Sequence, residues 1–309
     1  MSLAPTPRDP ARQATRAQAT RVISPRTPLF RRVVTIYHYR ELLAGLVRKE
    51  LKVKYKNSAL GAIWSMLNPA LYLVVFYVVF QIFLKSGIPK FAIFLLSGLL
   101  VWNFFSTSLM GATTSVVTNA ALVKKVSFPR EVLPLAPIGA GIVHFFLQGI
   151  VLALALVAFR YEASAKYALL LPPALVVLVL LTAALGILFA ALNVSLRDMQ
   201  HLLELALVAW FWMTPIVYPY RLVADRLEGR SWLLFLNPIT AIVVAFQRAI
   251  YNRVDAVGVD GKVTNILPAE TSLNWYLLHI GIVGVISLVL LAVSLTIFGR
   301  LEGNFAEEL

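Results

Sequence analysis

Residues Phe91 to Pro137 read FAIFLLSGLLVWNFFSTSLMGATTSVVTNAALVKKVSFPREVLPLAP. The run from Phe91 to Val123 carries no charge and would be about 50 Å long as a helix, whereas the hydrocarbon core of a bilayer is about 30 Å thick. Such a helix would cross a membrane and project beyond it. Charged residues and Pro129 then interrupt the apolar pattern, and a second uncharged run follows, with Pro134 and Pro137 near its start. The stretch therefore predicts two membrane helices joined by a short polar loop.

The remainder of the chain repeats this apolar pattern. Of its 309 residues, 59% are hydrophobic and only 14% are charged, which is too apolar for an ordinary soluble domain. Five charge-free runs exceed the roughly 20 residues that cross a bilayer as a helix, and a sixth run lies near the lower limit. We predict an all-α integral membrane protein with six transmembrane helices, at residues 59–84, 91–118, 132–159, 167–194, 201–220 and 272–298.

Three segments lie outside these runs. Residues 1–35 are rich in Arg and Pro and lack apolar periodicity, so we predict a disordered basic cytoplasmic tail. Residues 36–57 place apolar and basic side chains on opposite helical faces, which predicts an amphipathic interfacial helix along the inner leaflet, ahead of a transmembrane domain at residues 58–309. Residues 231–247 are uncharged but broken by Asn237 and Pro238, which favours re-entrant helices between spans five and six; a seventh span is the alternative.

The distribution of Lys and Arg predicts the orientation. The first 58 residues contain 13 of them against three acids, whereas the segments 85–90 and 160–166 contain two each. Basic loops remain on the cytoplasmic side, so we predict a multi-pass protein of the plasma (cell inner) membrane with both termini in the cytoplasm. The net charge of +13 is concentrated beside the membrane, which favours anionic lipid headgroups as neighbours and not nucleic acid.

The sequence lacks the residue patterns that several kinds of chemistry require. The single Gly-Lys pair, Gly261-Lys262, is followed by Val263, so no phosphate-binding GxxxxGK[ST] loop is present, and the four histidines have no metal-binding spacing. We therefore predict no catalytic residue, metal site or cofactor in this chain. A secondary transporter is disfavoured, because the span interiors hold neutral amides and histidines and no acids. The acids of the outer loop are scattered, which disfavours a membrane glycosyltransferase.

Five blocks of sequence resemble, in order, the permease subunits of ABC-2 type polysaccharide exporters. They are LVRKELKVKYKNSALGAIWSMLNPALYLVVFYVVF (46–80), LLSGLLVWNFF (95–105), NAALVKKVSFPREVLPLA (119–136), TPIVYP (214–219) with LNPITAIVVAFQRAIY (236–251), and IFGRLEGNFAEEL (297–309). The resemblance covers about Tyr37 to Leu309. It implies a homodimer that works with two copies of a separate ABC ATPase, which binds ATP and Mg, to export a lipid-linked polysaccharide such as O-antigen, galactan, teichoic acid or capsule. An ABC-2 exporter of drugs or small lipids is the alternative, and a membrane glycosyltransferase a weaker one.

The resemblance also implies roles for individual residues. In this family the loop between spans two and three forms a coupling helix that docks into the ATPase, here Asn119 to about Val126. The implied coupling residues are Asn119, Leu122, Lys124, Lys125, Phe128, Pro129, Arg130 and Glu131. Secondary contacts are implied for Arg48, Glu50, Lys54, Arg197 and Asp198. We expect the channel to be lined by Tyr72, Phe76, Phe80, Trp210 and Trp212. We expect the outer gate to contain Asn237, Pro238, Phe246 and Arg248.

Overall fold

The computed structural model describes residues 29–56, 58, 60–61, 63–83, 88–227, 229–252, 255–257, 263–268 and 272–309. Most of the predicted tail, residues 1–28, lies outside the described residues. The α-helices are α1 (Leu29–His38), α2 (Arg40–Tyr55), α3 (Ile63–Phe76), α4 (Phe91–Thr118), α5 (Ala120–Lys125), α6 (Val132–Ala158), α7 (Ala165–Ala168), α8 (Leu171–Ser195), α9 (Met199–Met213), α10 (Tyr220–Ala224), α11 (Pro238–Ile250), α12 (Leu273–Leu301) and α13 (Phe305–Glu308).

Short irregular elements complete the described fold. A π-helix, Tyr77–Phe83, continues α3, and 3₁₀ turns occupy Asp225–Leu227, Ser231–Leu236 and Glu302–Asn304. Strands β1 (Asp255–Val257) and β2 (Val263–Asn265) form an antiparallel pair in which Asp255 lies opposite Asn265.

Helix α4 forms the centre of the bundle and packs against α6, α8 and α11. It is uncharged throughout, and most of its residues are buried. Its contact with α6 is close: a Cβ at Gly141 of α6 would lie 2.0 Å from Ser108 Oγ of α4. A glycine at position 141 therefore lets these two helices approach, as small residues do between membrane helices.

Five helical segments in the described part of the chain are long and apolar enough to cross a bilayer. They are Ile63–Phe80, Phe91–Thr118, Val132–Ala158, Ala165–Ser195 and Leu273–Glu308. The predicted sixth span is not confirmed, because α9 ends at Met213 and its 15 residues measure only about 22 Å. The chain leaves the helix there for a turn that leads to Pro219.

The N-terminal region differs from the prediction in two ways. Helix begins at Leu29, within the predicted tail, and the predicted single amphipathic helix is divided at Tyr39 into α1 and α2. The apolar face of α2 also packs on the bundle: Leu46 is buried, and a Cβ at Gly139 of α6 would lie 2.6 Å from Val47 Cγ2. The apolar stripe of α2 is therefore covered by protein.

The break predicted within residues 231–247 is present. A 3₁₀ turn ends at Leu236, Asn237 accepts a hydrogen bond from the Ile239 backbone N–H, and Pro238 starts α11. Asn is a good helix cap, and Pro fits the first helical turn, where no backbone donor is needed. Helix α11 has 13 residues, about 20 Å, and packs against α4, α8 and α12. Its re-entrant path remains a prediction.

Candidate coupling and transport site

The segment between α4 and α6 forms the short helix α5 and an exposed loop. The side chains of Lys124 and Lys125 are exposed, whereas Val123 is buried and Leu122 and Phe128 pack on the apolar cluster beneath them. The apolar side chains anchor the segment to the bundle, and the two ammonium groups face outward. The predicted coupling residues therefore separate into an anchored set and an exposed cationic set.

A group of ionic side chains joins this segment to both ends of the described chain. The Arg32 guanidinium of α1 donates hydrogen bonds to the carboxylates of Glu131 and Glu302, the latter at 2.8 Å. The Arg130 guanidinium donates to the backbone carbonyl of Glu302. The side chains of Arg32 and Glu131 are only 11% and 4% exposed. We call Arg32, Glu131 and Glu302 the ionic clasp.

Burial affects the charge state of the clasp. The low polarity around Glu131 raises the pKa of its carboxyl group above the ordinary value, and the charge of Glu302 acts in the same direction. The Arg32 guanidinium opposes this shift, because it stabilises the carboxylate form. Loss of the Arg32 charge would therefore raise the pKa of Glu131 further.

The C-terminal residues cover the other side of the segment. Phe305 is fully buried, with its ring centroid 5.3 Å from that of Phe298, and the Ser195 hydroxyl donates to Glu308 at 2.5 Å. Between α1, the segment and these residues lies an open cavity of about 700 Å³. We call it the loop pocket; it is lined by Arg32, Thr35, Tyr39, Gly303, Ala306, Glu302 and residues 123–131.

Helix α2 also reaches the segment. The Lys49 ammonium donates to Asn119 Oδ1 at 2.7 Å, and the Asn119 amide donates to the Ser115 carbonyl at 2.8 Å. Asn119 is thus held between α2 and the end of α4. Four of the implied secondary contacts are exposed and Glu50 is half-buried; the exposed ones are Arg48, Lys54, Arg197 and Asp198.

A second cavity, of about 390 Å³, opens between α3, α4 and α9. Tyr72 and Phe76 lie on one side with ring centroids 6.0 Å apart, and Trp102 and Phe211 on the other, 5.5 Å apart. Asn103 adds an amide to the lining, which is completed by Leu99, Leu207 and Val208. We call this cavity the aromatic groove. Two of the five predicted channel residues line it.

The other three predicted channel residues lie elsewhere. Phe80 stacks on Phe91, with centroids 4.3 Å apart, and Trp212 is exposed on another face of α9. Trp210 packs edge-on against Phe105 and donates from Nε1 to Asn237 Oδ1 at 2.8 Å. Trp210 therefore fixes α9 to the cap of α11 and does not line the groove.

The predicted gate residues hold α11 within the bundle. Asn237 donates to Thr214 Oγ1 at 2.9 Å, in addition to capping α11. Phe246 is buried against Phe145, and the buried Arg248 guanidinium lies 4.2 Å from the Tyr167 ring centroid. These side chains point into packed protein, so movement of a gate here would require movement of α11 as a whole.

Sequence reasoning missed residues in both cavities. Arg32 fell within the predicted disordered tail, and its partners Glu131 and Glu302 lie 99 and 270 positions away. No local pattern reports such a contact. Trp102 belongs to the uncharged helix α4, and Phe211 to the uncharged second half of α9, so hydrophobicity does not mark the inward face of either segment.

Comparison with known proteins gives a consistent result. The profile of the family described as ABC-2 type transporter matches residues 41–251. The O-antigen export system permease protein RfbA of Myxococcus xanthus is 35% identical over 223 residues, which cover 72% of this chain and 85% of that protein. The protein of the same name from Klebsiella pneumoniae is 29% identical over 267 residues, 86% and 94% of the two chains.

A more distant relative is the polysialic acid transport protein KpsM of Escherichia coli. It is 22% identical over 217 residues, which cover 67% of this chain and 80% of that protein. The family match extends from α2 through the loop pocket segment to the end of α11 and covers more than half of the chain. Together with the five long apolar helices, these matches show that the chain is an integral membrane protein of the ABC-2 type transporter family.

Proposed function

We propose that this chain is the permease subunit of an ATP-driven exporter that moves a lipid-linked polysaccharide across the plasma membrane. Two copies of the chain would form the path, and two copies of a separate ATPase subunit, which binds ATP and Mg, would drive it. The relatives named above are O-antigen export permeases and a polysialic acid transport protein, which supports a polysaccharide as cargo.

The aromatic groove is the observation that carries this proposal. Four rings and one amide line a cavity whose walls include α3 and α4, two of the long apolar segments. Ring faces offer apolar contact to the C–H faces of sugars without fixing them by directional bonds, so a polymer could pass along them. An amide supplies both a donor and an acceptor for hydroxyl groups.

The second copy accounts for the exposed surface beside the groove. Large apolar side chains on α3 and α9 are more than half exposed, among them Val74, Val75, Leu205, Val208 and Trp212. The two helices flank the same groove. A second chain placed against them would close the groove into a channel, in keeping with the symmetric dimers that most homo-oligomers form.

The loop pocket would receive the ATPase. The exposed Lys124 and Lys125 present two positive charges at the rim of the pocket, and complementary charge on a partner would favour fast and specific docking. The anchored side chains and the ionic clasp would pass movement of the docked subunit to α4 and α6. This assignment places the pocket and both termini on the cytoplasmic side, in agreement with the positive-inside rule.

The proposal is tested in cells depleted of the chain. Lipid-linked polysaccharide should accumulate on the cytoplasmic side, and the native gene should restore its appearance on the outside. A Tyr72→Ala, Phe211→Ala double variant should restore it poorly although it reaches the membrane. If depletion leaves the location of the polysaccharide unchanged but alters the sensitivity of the cells to drugs, the chain exports drugs or small lipids. That result would overturn the proposal.

A further inference from the structure

A further cavity lies at the end of α6 opposite the loop pocket. It measures about 340 Å³ and is lined by Lys90, Tyr251, Asn252 and residues 159–162. Helix α6 has 27 residues, so about 40 Å separate its two ends. None of the coupling, channel or gate residues named above lines this cavity. We call it the distal pocket.

Three side chains give the distal pocket two positive charges and one negative charge. The Lys90 ammonium lies 4.8 Å from the centroid of the Phe159 ring. Arg160 and Glu162 are exposed, and in the described part of the chain neither of them forms an ion pair. A ligand that carries both a negative and a positive group would therefore complement the charges of this pocket.

The backbone brings these side chains together in an uncommon conformation. Among the described residues other than glycine, φ is positive only at Lys90, Arg160 and Asn252, at 52°, 47° and 57°. All three line the distal pocket. At Arg160 this conformation ends α6, and the Tyr161 N–H donates back to the Leu156 carbonyl at 2.8 Å. Glycine is the usual residue at such a position, because it has no Cβ. The chain therefore has a cation where backbone geometry alone favours glycine.

An apolar cavity of about 450 Å³ lies next to the distal pocket along two helices. The residues that line it are all apolar and include Gly149 and Leu156 of α6 and Ile250 of α11. Leu156 lies one helical turn before Phe159, and Ile250 immediately precedes Tyr251, so the linings of the two cavities are adjacent on both helices. Because α6 is one of the long apolar segments, a hydrocarbon chain of the bilayer can reach this cavity.

From these observations we infer that the distal pocket and the apolar cavity bind one phospholipid with a phosphoethanolamine headgroup. The phosphate accepts hydrogen bonds from Lys90 and Arg160, and the Glu162 carboxylate accepts from the ethanolamine ammonium. Arginine suits a phosphate, because its planar fork donates two parallel hydrogen bonds. An acyl chain of the same lipid fills the apolar cavity.

A phospholipid uses more of the site than a free anion does. Inorganic phosphate would complement the two cations but would leave the Glu162 carboxylate and the apolar cavity without a ligand. The inference requires the chain to be inserted in a membrane, which its family shows, and it does not depend on which polymer is transported.

Three variants separate the parts of the site. Arg160→Gly removes a cation at a position whose positive φ favours glycine, so the fold is retained. Glu162→Gln removes only the partner of the ammonium. Gly149→Leu fills the apolar cavity: a Cβ at Gly149 has no neighbour within 4 Å, and leucine favours a helix more than glycine does. Gly281→Leu, at an equally open and exposed position of α12, is the matched control.

The full-length permease is purified in detergent and titrated with phosphatidylethanolamine, phosphatidylcholine or phosphatidylglycerol of identical acyl chains, and bound lipid is counted by native mass spectrometry. We expect phosphatidylethanolamine to bind most tightly, because the choline group has no N–H donor and the glycerol group has no positive charge. Arg160→Gly should weaken its binding about fivefold, as expected for loss of an exposed ion pair. Glu162→Gln should remove the preference over phosphatidylglycerol. Gly149→Leu should weaken binding of all three lipids, and Gly281→Leu should not.

Equal affinity of the native chain for the three lipids would overturn the inference. Equal lipid binding by the native chain, Arg160→Gly and Gly149→Leu would also overturn it. Inorganic phosphate should leave the lipid bound; if it displaces the lipid, the pocket binds an anion alone and the inference is wrong. Displacement of the lipid by purified polysaccharide would likewise contradict it, because the distal pocket would then bind the polymer.

Discussion

The loop pocket and the aromatic groove are built from opposite kinds of contact. Around the pocket, charged side chains make directional hydrogen bonds between residues far apart in the sequence, such as Arg32 and Glu302. Around the groove, rings meet by apolar contact, and Asn103 adds one amide. Directional contacts hold elements in fixed relative positions, whereas apolar ring faces tolerate sliding. Under the proposed function, the pocket would transmit movement and the groove would accommodate a moving polymer.

The largest expected effect comes from breaking the clasp. Arg32→Ala removes the partner of a nearly buried carboxylate, so we expect a loss of about 3 kcal/mol in unfolding free energy, measured by thermal or denaturant unfolding in nanodiscs. Arg31→Ala, an exposed neighbour on the same helix, is the control. Adding Glu131→Gln to Arg32→Ala should recover part of the loss, because the buried charge is then absent. If Arg32→Ala and Arg31→Ala have the same unfolding free energy, the clasp has no structural role.

The next effect concerns the exposed charge at the pocket. Lys124→Glu with Lys125→Glu should weaken binding of the ATPase by about 2 kcal/mol, or roughly thirtyfold, since each reversal replaces attraction by repulsion at a solvated rim. The affinity is measured by titration of the purified permease with the ATPase at low and high salt. Arg160→Glu with Lys166→Glu reverses two exposed charges in the segment that follows the other end of α6, and should leave binding unchanged. Unaltered binding in the first variant would remove the docking assignment.

A smaller effect is expected in the groove. Tyr72→Ala or Phe211→Ala alone should lower polysaccharide transport about fivefold, because one ring contact contributes roughly 1 kcal/mol. Transport is measured in inverted vesicles as movement of lipid-linked polymer from the outward-facing cytoplasmic leaflet into the lumen. Phe146→Ala removes a ring that is exposed on a different face and should retain activity. If all three variants behave alike, the groove is not the path.

The smallest effect is a dependence of stability on pH. Burial holds the pKa of Glu131 above its unfolded value of about 4.5, so the folded state binds more protons than the unfolded state between these two pKa values. The contribution of this group is therefore fully present below about pH 4.5 and is lost as pH rises through the folded pKa. Unfolding temperatures measured across this window should change less in Glu131→Gln. An identical pH profile in that variant would exclude Glu131 as the source.

The sequence predicted the elements whose signal is local. Helix α4, Phe91–Thr118, lies within the uncharged run from Phe91 to Val123, whose length alone indicates a helix that can cross a bilayer. The helix break at Asn237 was also predictable, since Pro238 cannot continue a preceding helix without loss of a backbone hydrogen bond.

Features that depend on tertiary contact were not predictable. The contact of Arg32 with Glu131 and Glu302 supports the helix Leu29–His38. Composition alone assigned its residues 29–35 to a disordered tail. In the groove, the rotation of α9 decides that Phe211 faces inward while Trp212 does not. An apolar helix in an apolar solvent shows no sequence asymmetry that would reveal this rotation.

The most direct test of the division between pocket and groove measures two rates in one preparation. Vesicles containing the permease and its ATPase are assayed for ATP hydrolysis and for transport of lipid-linked polysaccharide. The Tyr72→Ala, Phe211→Ala variant should still bind the ATPase and hydrolyse ATP but transport little polymer. The Lys124→Glu, Lys125→Glu variant should lose both activities together. Normal transport in the groove variant, or normal coupled hydrolysis in the loop variant, would contradict the account.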